Sequence, residues 1–166
     1  AVTTLSGDHV SYDDESGAYI GRSSWRCLVA PPFATSRQVG VANTRLTDST
    51  WGALTLTGTT TVRGGVTATQ TGFTIPTAGR YRVDGTAFYR MTAVAPIGAA
   101  IMVNGMVTNN SPFAYAASMN GVWSIVSVSD TITLAAGDVV TVAGYQNLGG
   151  STNAQGYSIT LQYMTA

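Results

Sequence analysis

The alternation of apolar and polar residues is clearest between Phe73 and Met91. Phe73 and Ile75 flank a threonine with the period of two that is typical of a half-buried strand. Pro76 cannot donate to a sheet ladder, so this strand should end there. From Gly79 onward apolar or small residues recur at every second position, and the alternate positions are mostly polar or charged. The pattern predicts two consecutive strands joined by a tight turn.

Similar short strands follow one another from Phe33 to the end of the chain. The last of them, residues 157–163, is the most regular. Two dipeptides, Gly64-Gly65 and Asn104-Gly105, accept positive φ and predict β-hairpins. No helix longer than one turn and no internal repeat is expected. Many short strands at this spacing predict an all-β sandwich or jelly roll.

Residues 1–33 lack a sustained period of either kind. An acidic run is followed there by aromatic and arginine residues, and Pro31-Pro32 closes the segment as an extended hinge. We predict an irregular N-terminal arm at 1–33, serving as an anchor or collar, and a jelly-roll head domain at 34–166. Aromatic and arginine residues are enriched at interface hot spots, and the anchoring candidates are Tyr19, Arg22, Trp25 and Arg26. The alternative is that the arm packs along its own assembled head as extra strands.

Charge is scarce and balanced, because eight arginines stand against eight acidic residues and lysine is absent. Such a chain gives no electrostatic reason to expect nucleic acid or an anionic membrane as a partner. The most apolar window, Ala93 to Val107, is interrupted by Pro96 and glycines and is too short to span a bilayer. The N-terminus lacks the regions of a secretory signal. We expect a soluble protein that is assembled in the cytoplasm.

Few residues are suited to catalysis. His9 is the only histidine and Cys27 the only cysteine. A catalytic site needs several groups assembled in space, which neighbours in an unpatterned arm do not provide. Neither enzymatic activity nor a cofactor is expected. The acidic run lacks the spacing of a calcium loop, so no metal site is expected, and Asp138 is interpreted as a turn cap.

The longest polar connection covers residues 109–121 and carries Phe113 and Tyr115. Binding residues are often placed on loops, so these two rings are candidates for a surface contact with a glycan or a neighbouring protein. Long loops also bury small clusters of their own side chains. Packing beneath this loop is therefore the alternative.

Four motifs, taken in order, resemble a known group of proteins. They are Phe73-x-Ile75-Pro76-x-x-Gly79-x-Tyr81, Asn104-Gly105, Leu134-x-Ala136-Gly137-Asp138-x-Val140 and Gly156-Tyr157. The order is similar to that in the trimeric jelly roll of complement globular heads and tumour necrosis factor, and it covers roughly residues 34–166. The resemblance implies a ten-stranded sandwich, a homotrimer and no catalysis. Small proteins of this type also occur on the surfaces and appendages of tailed bacteriophages.

The predicted core-facing tyrosines are more numerous than the core of one chain needs. Buried tyrosine hydroxyls require hydrogen-bond partners, which a three-fold axis would supply. The candidate trimer-interface residues are Tyr81, Tyr89, Tyr157 and Tyr163.

The expected function is that of a non-enzymatic viral structural protein, a trimeric knob on a phage virion surface. It would decorate the capsid or form a tail or head appendage, with host attachment as a further role. Its partners would be its own copies, capsid or tail proteins, and a host surface glycan. The alternative is a lectin-like module that binds cell-surface glycans at a saturable site.

Overall fold

A computed structural model of the chain describes residues 9–13, 18–22, 31–40, 44–107 and 113–165. The strands in these ranges are β1 (His9–Asp13), β2 (Ala18–Arg22), β3 (Phe33–Val39), β4 (Arg45–Leu46), β5 (Trp51–Ala53), β6 (Thr59–Arg63), β7 (Thr67–Ala68), β8 (Gly72–Thr74), β9 (Gly79–Arg90), β10 (Pro96–Val103), β11 (Phe113–Ala117), β12 (Trp123–Leu134), β13 (Val139–Gln146), β14 (Thr152–Asn153) and β15 (Gly156–Thr165). Within the same ranges there is no helix long and apolar enough to cross a membrane.

The chain divides into two compact units, Ala1–Ala30 and Pro31–Ala166. In the first unit β1 and β2 pair antiparallel, with His9 opposite Arg22. The segment predicted to be irregular therefore contains a two-stranded sheet. Strand β1 does have a period of two, with Val10 and Tyr12 between polar residues, but it is only five residues long and the pattern is not sustained in β2.

The second unit is a sandwich of two antiparallel sheets. The five-stranded sheet has the order β12-β9-β15-β3-β6. The six-stranded sheet has the order β11-β10-β13-β8-β7, with β5 also paired to β13. Consecutive long strands alternate between the two sheets, since β9 and β12 lie in one and β10 and β13 in the other. This connectivity confirms the jelly roll predicted from the sequence.

The core lies between the sheets and follows the predicted alternation along β9. Tyr81, Val83 and Ala87 are buried, whereas Arg80 and Arg82 are exposed. The opposite sheet contributes inward-facing residues from β8, β10 and β13 to the same cluster. The period of two thus identified the inner face of this strand correctly.

Strand β10 departs from alternation, because six consecutive residues, 97–102, are buried. Ile97, Ala99 and Ile101 belong to the core between the sheets. The residues between them face outward, so side chains on the outside of the sheet must cover them. That cover is the candidate site described below.

The Asn104-Gly105 turn forms as predicted. Its two φ angles are 53° and 77°, and Val103 pairs with Met106 across it. The Asn104 side chain donates to Asp138 Oδ1 at 2.9 Å, and Asp138 Oδ2 accepts from the Ala135 amide at 2.8 Å. Strands β10 and β11 pair antiparallel, which confirms the hairpin. Asp138 also caps its turn as interpreted.

The Gly64-Gly65 turn also forms, with φ angles of 61° and 81°. Its flanking strands do not pair with each other, however. Strand β6 pairs with β3 in the five-stranded sheet, and β7 pairs with β8 in the six-stranded sheet. The hairpin prediction is wrong here, because this turn carries the chain from one sheet to the other.

Candidate functional site

Four aromatic side chains gather on the outer face of the six-stranded sheet. Trp51 lies on β5, Phe113 and Tyr115 lie on β11, and Tyr145 lies on β13. These residues are far apart in the sequence, and the order of the strands brings them together. We call the four residues the aromatic platform.

Three of the four rings share one row across the sheet. Tyr115 is opposite Gly98, Gly98 is opposite Tyr145, and Tyr145 is opposite Trp51. A whole strand separates Tyr115 from Tyr145, so their backbones lie about 9–10 Å apart. Their ring centroids are nevertheless only 5.3 Å apart. The rings can lean together because Gly98 has no side chain between them.

Gly98 is required at this position for steric reasons. A Cβ atom there would lie 2.9 Å from the Trp51 ring, 3.0 Å from the Tyr115 ring and 3.0 Å from the Ala114 carbonyl oxygen. The first two neighbours are side chains that could move, but the third is backbone. Any larger residue would therefore push the rings apart or shift β11.

Trp51 contacts the other three rings of the platform and also the sheet surface beneath them. Trp51 lies 5.2 Å from Tyr145, 5.6 Å from Tyr115 and 6.5 Å from Phe113, centroid to centroid. These tilted and edge-on arrangements are the favourable geometries for aromatic pairs. A patch of buried outward-facing residues, Ala100, Ala143 and Met102, lies on the same face, and Trp51 packs against it. This packing accounts for the two-sided burial of β10.

Tyr89 ties the row to the core from the other sheet. Its hydroxyl donates to the Gly98 carbonyl and accepts from the Tyr145 amide at 3.1 Å. Gly98 and Tyr145 are opposite each other in the ladder, so a side chain of the five-stranded sheet reaches the backbone beneath the rings. Burial raises the pKa of the Tyr89 hydroxyl far above its ordinary value, and the bond from Tyr145 offsets this in part. Tyr89 thus remains a neutral hydroxyl at physiological pH.

The platform carries no formal charge. None of the six strands of its sheet contains an acidic or basic residue. Phe113 and Tyr115 are 54% and 53% exposed, and Trp51 and Tyr145 are half-buried. The site therefore presents ordered rings to solvent with no charged residue on the strands of its sheet.

The structure places Phe113 and Tyr115 on an edge strand rather than in the predicted loop. They do not pack beneath a loop either, since both are exposed. Their use as contact residues stays a prediction, which the geometry makes more specific. Trp51 and Tyr145 were not among the candidate residues, because only the pairing of β5 with β13 brings them beside β11.

The interpretation of Tyr81, Tyr89 and Tyr157 as trimer-interface residues is wrong. All three are fully buried inside a single chain and have no surface to offer a partner. Their hydroxyls are also satisfied internally. Tyr81 donates to the Thr77 carbonyl at 2.7 Å, and Tyr157 is 2.8 Å from Ser36 Oγ.

Tyr163 is the one member of that set that is partly exposed. Its ring meets Tyr81 edge-on at a centroid distance of 5.2 Å. Burial raises the pKa of Tyr81, the neighbouring Tyr163 raises it further, and the bond to Thr77 lowers it. Tyr163 therefore covers one end of the core, and any part in an interface stays a prediction.

The proposed anchoring residues belong to the first unit. Tyr19 and Arg22 lie on β2, where the structure defines the backbone path. Trp25 and Arg26 lie outside the described residues. Their role as anchors stays a prediction.

A second apolar surface lies on the outer face of the five-stranded sheet. Ile125, Phe88, Gly156 and Val39 are opposite one another on four neighbouring strands, and we call them the apolar row. Ile125 is 57% exposed and Val39 is 43% exposed, whereas Phe88 is nearly covered. Trp123, 41% exposed, lies two residues before Ile125 on the same edge strand. Most of the other outward-facing residues of this sheet are polar.

A hydrogen-bonded ion pair marks the polar part of that face. Arg82 contacts Asp84 at 3.1 Å, and Ser129 donates to the same carboxylate. Partial burial would raise the pKa of Asp84, but the bonds from Arg82 and Ser129 outweigh it and lower the pKa. Both charged side chains are about half exposed, so the pair contributes little to stability.

Neither surface contains recognisable catalytic or metal-binding groups. Among the described residues, no three His, Cys, Asp or Glu side chains are close enough to hold a metal ion. Cys27 lies outside those residues, and His9 is described only as part of strand β1.

Comparison with known proteins identifies the fold of this chain and nothing further. No protein-family model matches the chain, and no curated protein is similar to it in sequence. Its structure is similar to the crystal structure of murine APRIL at pH 5.0, with a TM-score of 0.54 and 14% sequence identity. The match covers 78% of this chain and 98% of that chain. The chain therefore has an all-β jelly-roll fold like that of the tumour necrosis factor family.

Proposed function

We propose that this chain is a non-enzymatic structural protein, a homotrimeric knob on the surface of a bacteriophage virion. It would decorate the capsid or form a tail or head appendage, with its own copies and capsid or tail proteins as partners. The observation that supports assembly most strongly is the apolar row on the five-stranded sheet. Large exposed apolar side chains such as Ile125 and Trp123, grouped on one face, are typical of protein–protein contacts.

The two ends of the row are suited to a cyclic assembly. Ile125 lies on edge strand β12, and Val39 lies three strands away on β3. A contact between the Ile125 end of one copy and the Val39 end of the next is heterologous, and such contacts form a ring when the rotation from copy to copy closes. The sequence resemblance to trimeric jelly rolls favours a ring of three.

Light scattering of the purified protein tests the trimer. The expected mass is three times that of the 17.2 kDa chain. Ile125→Arg should give monomers, because a buried unpaired guanidinium is costly. Met106→Arg is the matched control, since Met106 is 61% exposed and lies at the turn of the other sheet. A monomeric wild-type protein would contradict the proposal.

Placement on a virion is supported by the resemblance to phage surface proteins and by the division into two units. We propose that the first unit, Ala1–Ala30, anchors the head. Immunogold labelling of purified particles should decorate the capsid or the tail. Deleting residues 1–30 should leave a folded trimer that no longer attaches to particles. Aggregation of the truncated protein would show instead that this segment belongs to the head.

A lectin-like glycan-binding module is the second candidate function. The aromatic platform favours it, because its exposed rings offer apolar faces and its tyrosine hydroxyls can hydrogen-bond to a ligand. Saturable stabilisation of the protein by a glycan, followed as a shift in melting temperature, distinguishes this function from a purely structural one.

A further inference from the structure

We propose that the aromatic platform binds neutral saccharide chains, with the apolar C–H groups of pyranose rings packed against Trp51, Tyr115 and Tyr145. The proposal rests on the proposed function in one respect, because it takes the head to be displayed with this face open. It adds to that function a site and a class of ligand.

The first argument is preorganisation. The three rings lie in one row and contact one another at centroid distances of 5.2 to 5.6 Å. The rings pack so closely over Gly98 that no side chain fits there. On the core side, the Tyr89 hydroxyl hydrogen-bonds to the backbone of Gly98 and Tyr145. Rings that are already fixed lose little side-chain entropy when a ligand binds.

The second argument is chemical complementarity. A pyranose ring offers a patch of C–H groups with hydroxyls around its rim. The C–H groups fit the electron-rich faces of aromatic rings, and the hydroxyls need hydrogen-bond partners. Within the described part of the chain no hydrogen bond occupies the hydroxyl of Tyr115 or Tyr145. These two groups can therefore donate to a sugar or accept from it.

The third argument is charge. The sheet that carries the platform has no charged residue, so it offers no guanidinium or ammonium group to an anionic glycan. A sulfate or carboxylate brought against this face would lose hydration without compensation. Neutral hexose chains avoid this penalty.

The fourth argument concerns the length of the ligand. Phe113 and Tyr115 are more than half exposed, so the platform is an open surface that covers only one side of a sugar. One such contact gives weak binding. A chain long enough to span several rings, or several platforms of one trimer, gains affinity through effective concentration. The ligand is thus a saccharide chain and not a monosaccharide.

The test uses the full chain and an immobilised array of glucose, mannose and galactose oligosaccharides, with sialylated and sulfated glycans alongside. The strongest binder is then titrated by calorimetry against three variants. Tyr115→Ala should weaken binding about tenfold or more, and Tyr115→Phe should weaken it less, because it keeps the ring. Met106→Ala, an exposed residue away from the platform, should bind like the wild type. Thermal unfolding of each variant confirms that it is folded.

The assignment is overturned if the wild type binds no neutral glycan on the array or binds only the anionic ones. It is also overturned if Tyr115→Ala binds as well as the wild type. A change of oligomeric mass in Tyr115→Ala would show that the platform is a contact between copies, which also excludes the ligand. A monomeric wild type that binds glycans through Tyr115 would contradict the trimeric knob and leave the ligand assignment standing.

Discussion

The two sheets share one core but present different outer surfaces. The five-stranded sheet contains seven charged residues, Arg37, Arg63, Arg80, Arg82, Asp84, Arg90 and Asp130, whereas the six-stranded sheet contains none. Inward-facing positions are mostly apolar in both, as the core requires. The outward-facing positions are free of that requirement, so their composition carries the information on function.

Single rows across the sheets show the difference. One row of the five-stranded sheet is formed by Thr61, Thr35, Thr160, Asp84 and Ser129. The row of the six-stranded sheet that crosses Gly98 is formed by aromatic rings. We infer that the polar sheet, with its one apolar row, serves assembly, and that the aromatic sheet serves recognition.

The largest expected effect comes from the central glycine of each row. A Cβ atom on Gly156 would lie 2.2 Å from the Gln38 carbonyl oxygen, and its φ of 147° disfavours other residues. Gly156→Ala should therefore lower the free energy of unfolding by about 3 kcal/mol, measured by urea denaturation. Gly98→Ala should cost about 1–2 kcal/mol, because two of its three close neighbours are side chains that can move.

Gly150→Ala is the control for both variants. No atom lies within 4 Å of a Cβ at Gly150, so its effect should stay below about 0.5 kcal/mol. The account predicts a larger loss of unfolding free energy for Gly156→Ala, where the added Cβ would meet backbone, than for Gly98→Ala, where it would meet mainly rings. Equal losses for the two variants would contradict it.

Two buried hydroxyls provide the next comparison. Tyr157→Phe leaves the Gly58 amide, which donates to this hydroxyl at 2.8 Å, without its partner, and should cost about 1–3 kcal/mol. Tyr89→Phe should cost less, about 0.5–1.5 kcal/mol, because Gly98 and Tyr145 are opposite each other and can bond directly. Urea denaturation measures both, and the reverse order would contradict this account.

The smallest expected effect concerns pH. The pKa of Asp84 is lowered in the folded state, so its ionised form stabilises the fold at neutral pH. That contribution is lost as the pH falls below the ordinary carboxyl range of about 4. Exposure limits it to less than about 1 kcal/mol. Asp84→Asn and Arg82→Gln should each flatten the decrease in melting temperature at acidic pH, and an unchanged slope in both would show that the pair contributes nothing.

The sequence was sufficient for those parts of the fold that depend on local patterns. Alternation along β9 identified its buried face, and Asn104-Gly105 identified a hairpin, because each depends on neighbouring residues. The Gly64-Gly65 turn shows the limit of such patterns. The two glycines correctly predicted positive φ angles. The sheet that each flanking strand joins, however, depends on pairing with strands far away in the sequence.

The candidate sites could not be predicted in the same way, because their residues come together from distant parts of the sequence. The sequence identifies no partner for the Tyr157 hydroxyl within one chain, but Ser36 on the neighbouring strand β3 supplies it. Phe113 and Tyr115 were recognisable as candidates because they interrupt a polar segment. Trp51 and Tyr145 resembled ordinary strand residues, and only strand order places them beside Tyr115.

Hydroxyl-radical footprinting of the assembled full-length protein tests the division of roles between the two sheets most directly. Side-chain oxidation, read by mass spectrometry, reports the solvent access of Trp123 and Ile125 on one sheet and of Phe113 and Tyr115 on the other within a single sample. In one chain all four are between 41% and 57% exposed. The account predicts that Trp123 and Ile125 are protected in the assembly while Phe113 and Tyr115 react fully. Protection of Phe113 and Tyr115 with full reaction of Trp123 and Ile125 would contradict it.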